Sequence, residues 1–264
     1  MPTRDEPWPQ GTPCWIDCQV DDLDQARGFY SALFGWQVAD TPAEAGGYLM
    51  AMLAGRPAAG IGPKPQGTST PSAWTTYFAA DSADVIAERV TAAQGRMFMP
   101  PFDVLDIGRM FVAADPGGAG FGVWQAGSHG GAGVFNQHGA YCWNELHTQD
   151  YRQAQAFYAS VFDWSYIEIG DGESFVYSTF SLPGETRPSG GNNDATRTGA
   201  GFPSYWLTWF QVDDADATVD AASDLGAGVV TAARDTPAGR SAVLRGPQGE
   251  FFGVIDPGRA VGEF

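Results

Sequence analysis

The sequence predicts an α+β protein of four βαβββ modules, paired into two domains. Three observations carry the prediction. A stretch near the start repeats 128 residues later, a Trp-to-Asp spacing of seven occurs four times, and at each such Asp the apolar period changes from that of a strand to that of a helix.

The long repeat is direct. Residues 14–36 read CWIDCQVDDLDQARGFYSALFGW, and residues 142–164 read CWNELHTQDYRQAQAFYASVFDW. The later parts match as well, with GRMFVAADPGGAGFGVW at 108–124 and GRSAVLRGPQGEFFGVI at 239–255. Domains over 12–126 and 140–257 follow, joined by a Gly-rich linker at 127–139. Within each domain a strand-like run opens each module: Trp15 precedes Asp22 by seven residues, as Trp74 does Asp81, Trp143 does Asp150 and Trp206 does Asp213. Each Asp reads as a helix N-cap, because its carboxylate can accept from the first free backbone N–H groups.

The first helix places Leu23, Ala26, Phe29, Tyr30, Leu33 and Phe34 on one stripe. The third repeats it with Tyr151, Ala154, Phe157, Tyr158, Val161 and Phe162, while 81–94 and 213–225 are Ala-rich counterparts. Short strand-like runs then fill each module: 47–53, 58–62, 97–101, 109–114 and 120–125, followed by 174–182, 229–232, 241–244 and 250–255. Asp115-Pro-Gly-Gly and Gly246-Pro-Gln-Gly read as turns, with Pro setting φ and Gly permitting positive φ. Arg109 and Arg240 enter matching strands and can answer either a carboxylate or a ligand anion.

Composition narrows the function. The chain has 264 residues, 44% hydrophobic and 13% aromatic, with nine Trp, enough for two packed cores. A net charge of −17 repels nucleic acid and anionic membrane surfaces. No run approaches 18 apolar residues, and the opening MPTRDEPWPQGTP lacks the apolar core of a signal peptide. Cys14, Cys18 and Cys142 are odd in number and read as reduced packing residues of a cytoplasmic protein.

This organisation resembles the vicinal-oxygen-chelate (glyoxalase/bleomycin resistance/dioxygenase) superfamily, through D-L-D-x-A-x-x-F-Y-x-x-L-F-G-W at 22–36, its echo at 150–164, and D-P-G-G-A-G-F-G at 115–122. Within that superfamily it looks like tandem actinobacterial proteins labelled "hydroxylase" or glyoxalase-like, which include accessory proteins of doxorubicin-type pathways. The resemblance implies glyoxalase-like domains whose curved sheets form open barrels around a cup, and a divalent metal held by side chains of the first and last strands. At the first-strand positions stand Trp15, Trp74, Trp143 and Trp206, and at the last-strand positions Gly122 and Gly253. None offers a lone pair for a metal, so neither a metal nor another cofactor is expected. His129 and His138 lie nine residues apart in the linker and read as exposed.

Strand alternation sorts the cup linings. Ile16, Cys18 and Val20 should pack on the helix, leaving Trp15, Asp17 and Gln19 in cup one and Trp143, Glu145 and His147 in cup two. The same rule assigns Trp74, Thr76 and Phe78 to cup one and Trp206, Thr208 and Phe210 to cup two. Two readings follow. In the first, the protein binds a flat aromatic or polyketide-like small molecule in Trp-lined cups without a metal, for sequestration or to serve a pathway enzyme. In the second, it is a metal-independent isomerase, lyase, hydratase or pathway hydroxylase, with Glu145 and His147, and secondarily Asp17, as acid and base. A monomer or homodimer suits either reading.

Overall fold

The computed structural model describes residues 2–65, 67, 71–170, 172–173, 175–198 and 201–261. The first module runs β1 (Pro13–Val20), α1 (Leu23–Phe34), β2 (Gln37–Asp40), β3 (Leu49–Leu53) and β4 (Arg56–Pro63). The second runs β5 (Ala73–Ala79), α2 (Ala83–Ala92), β6 (Arg96–Val104), β7 (Gly108–Ala114) and β8 (Gly120–Ala126). The third comprises β9 (Tyr141–Thr148), α3 (Tyr151–Phe162), β10 (Ser165–Gly170), β11 (Val176–Ser181) and β12 (Gly190–Asp194). The fourth comprises β13 (Tyr205–Gln211), α4 (Ala215–Asp224), β14 (Gly228–Thr236), β15 (Gly239–Arg245) and β16 (Phe251–Asp256).

Modules one and two share one eight-stranded sheet, ordered β2-β3-β4-β1-β5-β8-β7-β6. Modules three and four build its twin, β10-β11-β12-β9-β13-β16-β15-β14. Both are mixed and open, since the end strands of each order do not pair with one another. The architecture is therefore α+β, with two glyoxalase-like domains that do not exchange strands. The short strands β2, β10 and β12 lie outside the runs expected from sequence: β2 and β10 are largely exposed edge strands, and β12 is GGNND.

Each helix lies on one face of its own sheet, and the two helix-bearing faces meet. Two apolar clusters result, one around α1 and α4 and the other around α2 and α3. Phe34 meets Phe210 at 4.6 Å between ring centroids, and Phe78 meets Trp206 at 5.0 Å. Most polar groups at this junction are paired, although Asn144 Nδ2 has no partner among the described residues. The Tyr30 hydroxyl donates to Glu250 (2.9 Å) and accepts from Trp74 Nε1 (3.1 Å). By the same plan Tyr158 accepts from Trp206 Nε1 (2.8 Å) and bonds Asp115. Between them the Asn144 amide oxygen accepts from Thr76 (2.7 Å) and Thr208 (3.1 Å). Burying an Asn, a Glu and an Asp here is tolerable only because such partners are present.

These contacts correct half of the expected cup lining. Trp74, Thr76, Phe78, Trp206, Thr208 and Phe210 face the inter-domain core, not the cups. The cause is a one-residue offset. Asp22 and Asp150 cap α1 and α3, accepting from Gln25 N and Gln153 N, but α2 and α4 are capped by Ser82 and Asp214, one residue beyond Asp81 and Asp213. Counting seven back from the true caps gives Thr75 and Leu207. A slip of one residue carries every side chain of a strand to the opposite face.

Candidate functional site

The helix-free face of each sheet is its cup. Residues opposite each other in an antiparallel pair share a face. Trp15 lies opposite Tyr77 and Asp17 opposite Thr75 in the first sheet. In the second, Trp143 lies opposite Trp209, Glu145 opposite Leu207 and His147 opposite Tyr205. The predicted Trp15, Asp17 and Gln19, and Trp143, Glu145 and His147, therefore do lie on helix-free faces. Tyr48, Tyr77, Tyr177, Tyr205 and Trp209 join them. For all but Tyr205 the signal in the sequence was a glycine beneath the ring: a Cβ on Gly60 would fall 1.7 Å from the Tyr48 hydroxyl, and on Gly191 1.8 Å from that of Tyr177. A Cβ on Gly122 would strike the Tyr77 ring at 2.1 Å, and on Gly253 the Trp209 ring at 2.2 Å. At four matching places, glycine makes room for an aromatic side chain.

Both cups carry a Trp–Tyr–carboxylate relay. In cup one, Trp15 Nε1 donates to the Tyr48 hydroxyl (3.0 Å), and Tyr48 (3.4 Å) and Tyr77 (2.9 Å) donate to Asp17 Oδ2. Asp17 is 4% exposed, and its Oδ1 has no partner among the described residues. Burial raises the Asp17 carboxyl to about 7, against the opposing hydrogen bonds of Tyr77 and Tyr48. In cup two, Trp143 Nε1 donates to the Tyr177 hydroxyl (3.0 Å), which bonds Glu145. Glu145 Oε1 also lies 2.7 Å from His147 Nε2. The imidazole stacks on Tyr205, with centroids 4.9 Å apart and planes at 12°.

The linker distinguishes the two. His129 is not an exposed linker residue: its ring stands edge-on to Trp15 at 4.6 Å and to Trp124 at 5.6 Å, with Nε2 shielded from water and without a hydrogen-bond partner among the described residues. Burial pushes this imidazole down to about 4. Its carbonyl accepts from Trp124 Nε1 (2.9 Å), and Ala132 N donates to Cys14 O (2.8 Å), so the linker is bonded across cup one. Gly131, at φ +101°, fits because a Cβ would lie 2.6 Å from the Cys14 carbonyl oxygen. After β16, by contrast, the described chain reaches the end of β14, with Val261 N donating to Thr236 O (3.2 Å). Trp143 and Trp209 stay half-buried, and Trp209 Nε1 has no partner among the described residues. His138 lies away from both cups, accepting from Asp213 N (3.1 Å). Arg109 and Arg240 answer carboxylates, Asp84 with Asp103 and Asp216 with Asp235.

Two matching stretches with this topology decide the family: residues 14–123 and 143–254 fit the model of the "Glyoxalase/Bleomycin resistance protein/Dioxygenase superfamily". The chain belongs to that superfamily. Among its relatives, it is 40% identical to "Putative glyoxylase CFP32" of Mycobacterium tuberculosis, covering 97% of this chain and 98% of that protein. It is 37% identical to "Anthracycline biosynthesis protein DnrV" of Streptomyces peucetius, covering 93% of each. In fold it is similar to the Mn(II)-bound glyoxalase from Novosphingobium aromaticivorans, with a TM-score of 0.64 at 14% identity over 94% of this chain and 83% of that one. Among the described residues no helix is long and apolar enough to cross a membrane.

The superfamily resemblance implies a divalent ion in the cup, and the residues present do not fit one. The register puts Trp15, Thr75, Trp143 and Leu207 at the first-strand positions, while aromatic rings fill the space over Gly122 and Gly253. Among the described residues, no three His, Cys, Asp or Glu side chains converge. A catalytic divalent site ordinarily draws on at least three such ligands.

Proposed function

We propose that the protein binds a flat aromatic or polyketide-like small molecule in cup two, without a metal, for sequestration or for an accessory step of natural-product metabolism. The observation that carries this reading is the contrast in cover. Cup two presents half-buried Trp143, Tyr205 and Trp209 around the Glu145–His147 pair, whereas the linker lies over cup one. Aromatic walls with a few convergent polar groups suit an organic ligand. The likeness to an anthracycline biosynthesis protein supports the same ligand class.

A second reading rests on one specific contact. Glu145 Oε1 and His147 Nε2, 2.7 Å apart and largely buried, lack the alignment of a hydrogen bond as they stand, so a ligand that turned either group could take or give a proton there, which would make the protein a metal-independent isomerase, lyase or hydratase. One experiment separates the two. A hydroxylated anthraquinone should quench tryptophan fluorescence with one site per chain, equally after dialysis against EDTA and after zinc or manganese is restored. Recovery of the compound unchanged supports binding alone. Turnover that Glu145→Gln abolishes while sparing affinity supports the enzyme. A requirement for metal would sink both.

A further inference from the structure

We propose that Phe175 and Phe202 set the length of the ligand that cup two accepts, selecting three or four fused rings over one. The inference rests on the reading of cup two as a flat-ligand site and names the residues that measure the ligand.

The register puts one row of side chains across the second sheet. Tyr177 on β11 lies opposite Asn193 on β12, Asn193 beside His147 on β9, and His147 opposite Tyr205 on β13. This row stands at the C-terminal end of β9, and its centre is already a stacked pair of flat groups, His147 on Tyr205. A Phe stands at each flank. Phe175, 46% exposed, stacks on Tyr177 with centroids 5.5 Å apart and planes at 12°. Phe202, 48% exposed, packs edge-on at 5.9 Å against Phe251 of β16, which shares the cup face with Gly253 two residues on. Its carbonyl accepts from Gln149 Nε2 (2.9 Å), just past the end of β9, which holds it at the same end of the sheet.

A lone exposed phenylalanine is ordinary, as Phe98 and Phe102 show; what singles out Phe175 and Phe202 is that each packs on an aromatic ring of the cup face, at opposite flanks of one polar pair, which makes a continuous apolar rim suited to a shared ligand. From β11 to β16 is four strand spacings, about 19 Å along the sheet. That is far wider than a single ring. The ligand class is therefore an extended planar polycycle. Its end rings contact the two phenylalanines, and a central hydroxyl or carbonyl meets Glu145 and His147.

The first domain supplies an internal control. Counting from the shared register, the places of His147, Tyr205, Phe175 and Phe251 are held by Gln19, Ala73, Gly46 and Gly120. The relay through Tyr48 and Asp17 persists there without the stacked row. The row is thus not demanded by the fold.

The test is a size series read by tryptophan quenching: hydroquinone, 1,4-dihydroxyanthraquinone and a four-ring dihydroxynaphthacenequinone. Phe175→Ala and Phe202→Ala are surface truncations, and thermal melts confirm that each folds. Each should weaken the three- and four-ring compounds roughly fivefold, the loss of one aromatic contact, and leave hydroquinone unchanged. Trp143→Ala should weaken all three sizes. If the polycycles bind the wild type but both phenylalanine variants bind them equally well, this inference is overturned and the parent reading stands. If no member of the series binds the wild type, the parent reading fails and this one with it.

Discussion

Cup one and cup two share a strand order, a Trp–Tyr–carboxylate relay and a pair of ring-filled glycines, yet they differ in cover and in polarity. In cup one the carboxylate is Asp17, sealed beneath tyrosines, with the linker histidine over its tryptophan. In cup two the carboxylate is Glu145, one methylene longer, paired with an imidazole where cup one has Gln19. The difference teaches that the same scaffold can bury the tryptophan of one cup beneath the linker and leave its counterpart only half-buried. The covered cup should register in stability and its pH dependence, and the second, on the proposed function, in ligand affinity.

The largest expected effect lies in cup one. Asp17 sits near 7 in the folded protein against 3.8 for a free carboxyl, so the native state holds its proton more tightly than the unfolded chain. Stability is then full below about pH 4, falls as pH rises through the window to about 7, and is flat above it; the shift amounts to at most about 4 kcal/mol. His129 has the opposite sign. Its imidazole is held near 4 against 6.5, so its contribution is full above 6.5 and lost as pH falls toward 4, by at most about 3 kcal/mol. The two slopes oppose each other between pH 4 and 6.5. Urea midpoints across pH 4–8 should show Asp17→Asn losing the alkaline decline and exceeding wild type at pH 8. His129→Ala should leave the Asp17 decline alone. Parallel curves for wild type and Asp17→Asn would show that the carboxyl is ordinary and the cup wet.

The next effect sharpens the contrast in packing. Gly122→Ala pushes a Cβ into Tyr77, a ring 3% exposed and tied to Asp17. Gly253→Ala meets Trp209, which is half-buried and has no partner for Nε1 among the described residues, so it can swing aside. Overpacking should cost about 3 kcal/mol at Gly122 and about 1 kcal/mol at Gly253, measured by denaturant unfolding. Equal costs would mean that the two rings are equally confined.

Much of this was legible in the sequence. The 128-residue repeat and the stripe on α1 fix the modules, and strand alternation finds Trp15, Asp17, Trp143, Glu145 and His147 on the cup faces. What was hidden depended on single residues and long-range contacts. A cap at Ser82 instead of Asp81 moves Trp74, Thr76 and Phe78 into the inter-domain core, and Asp214 does the same for Trp206, Thr208 and Phe210. Nothing local distinguishes Asp81 from Ser82 as a cap, because both residue types serve. The placement of His129 over Trp15 rests on tertiary bonds between the linker and β1 that no periodicity encodes.

The smallest expected effect is none at all, and it tests whether cover outweighs chemistry. Gln19→His with Ala73→Tyr would write the His147–Tyr205 pair into the first sheet, at the register positions that face each other there. With the linker bonded over Trp15, the variant should still titrate at one ligand per chain by calorimetry. Adding His129→Gly removes the ring that packs on Trp15 and Trp124. If cover is the decisive difference, this third change should bring in a second, weaker site. A second site in the double variant would mean that the cups differ by their side-chain pair alone. One site in the triple variant would mean that the flanking rings of the second sheet, and not access, make the pocket.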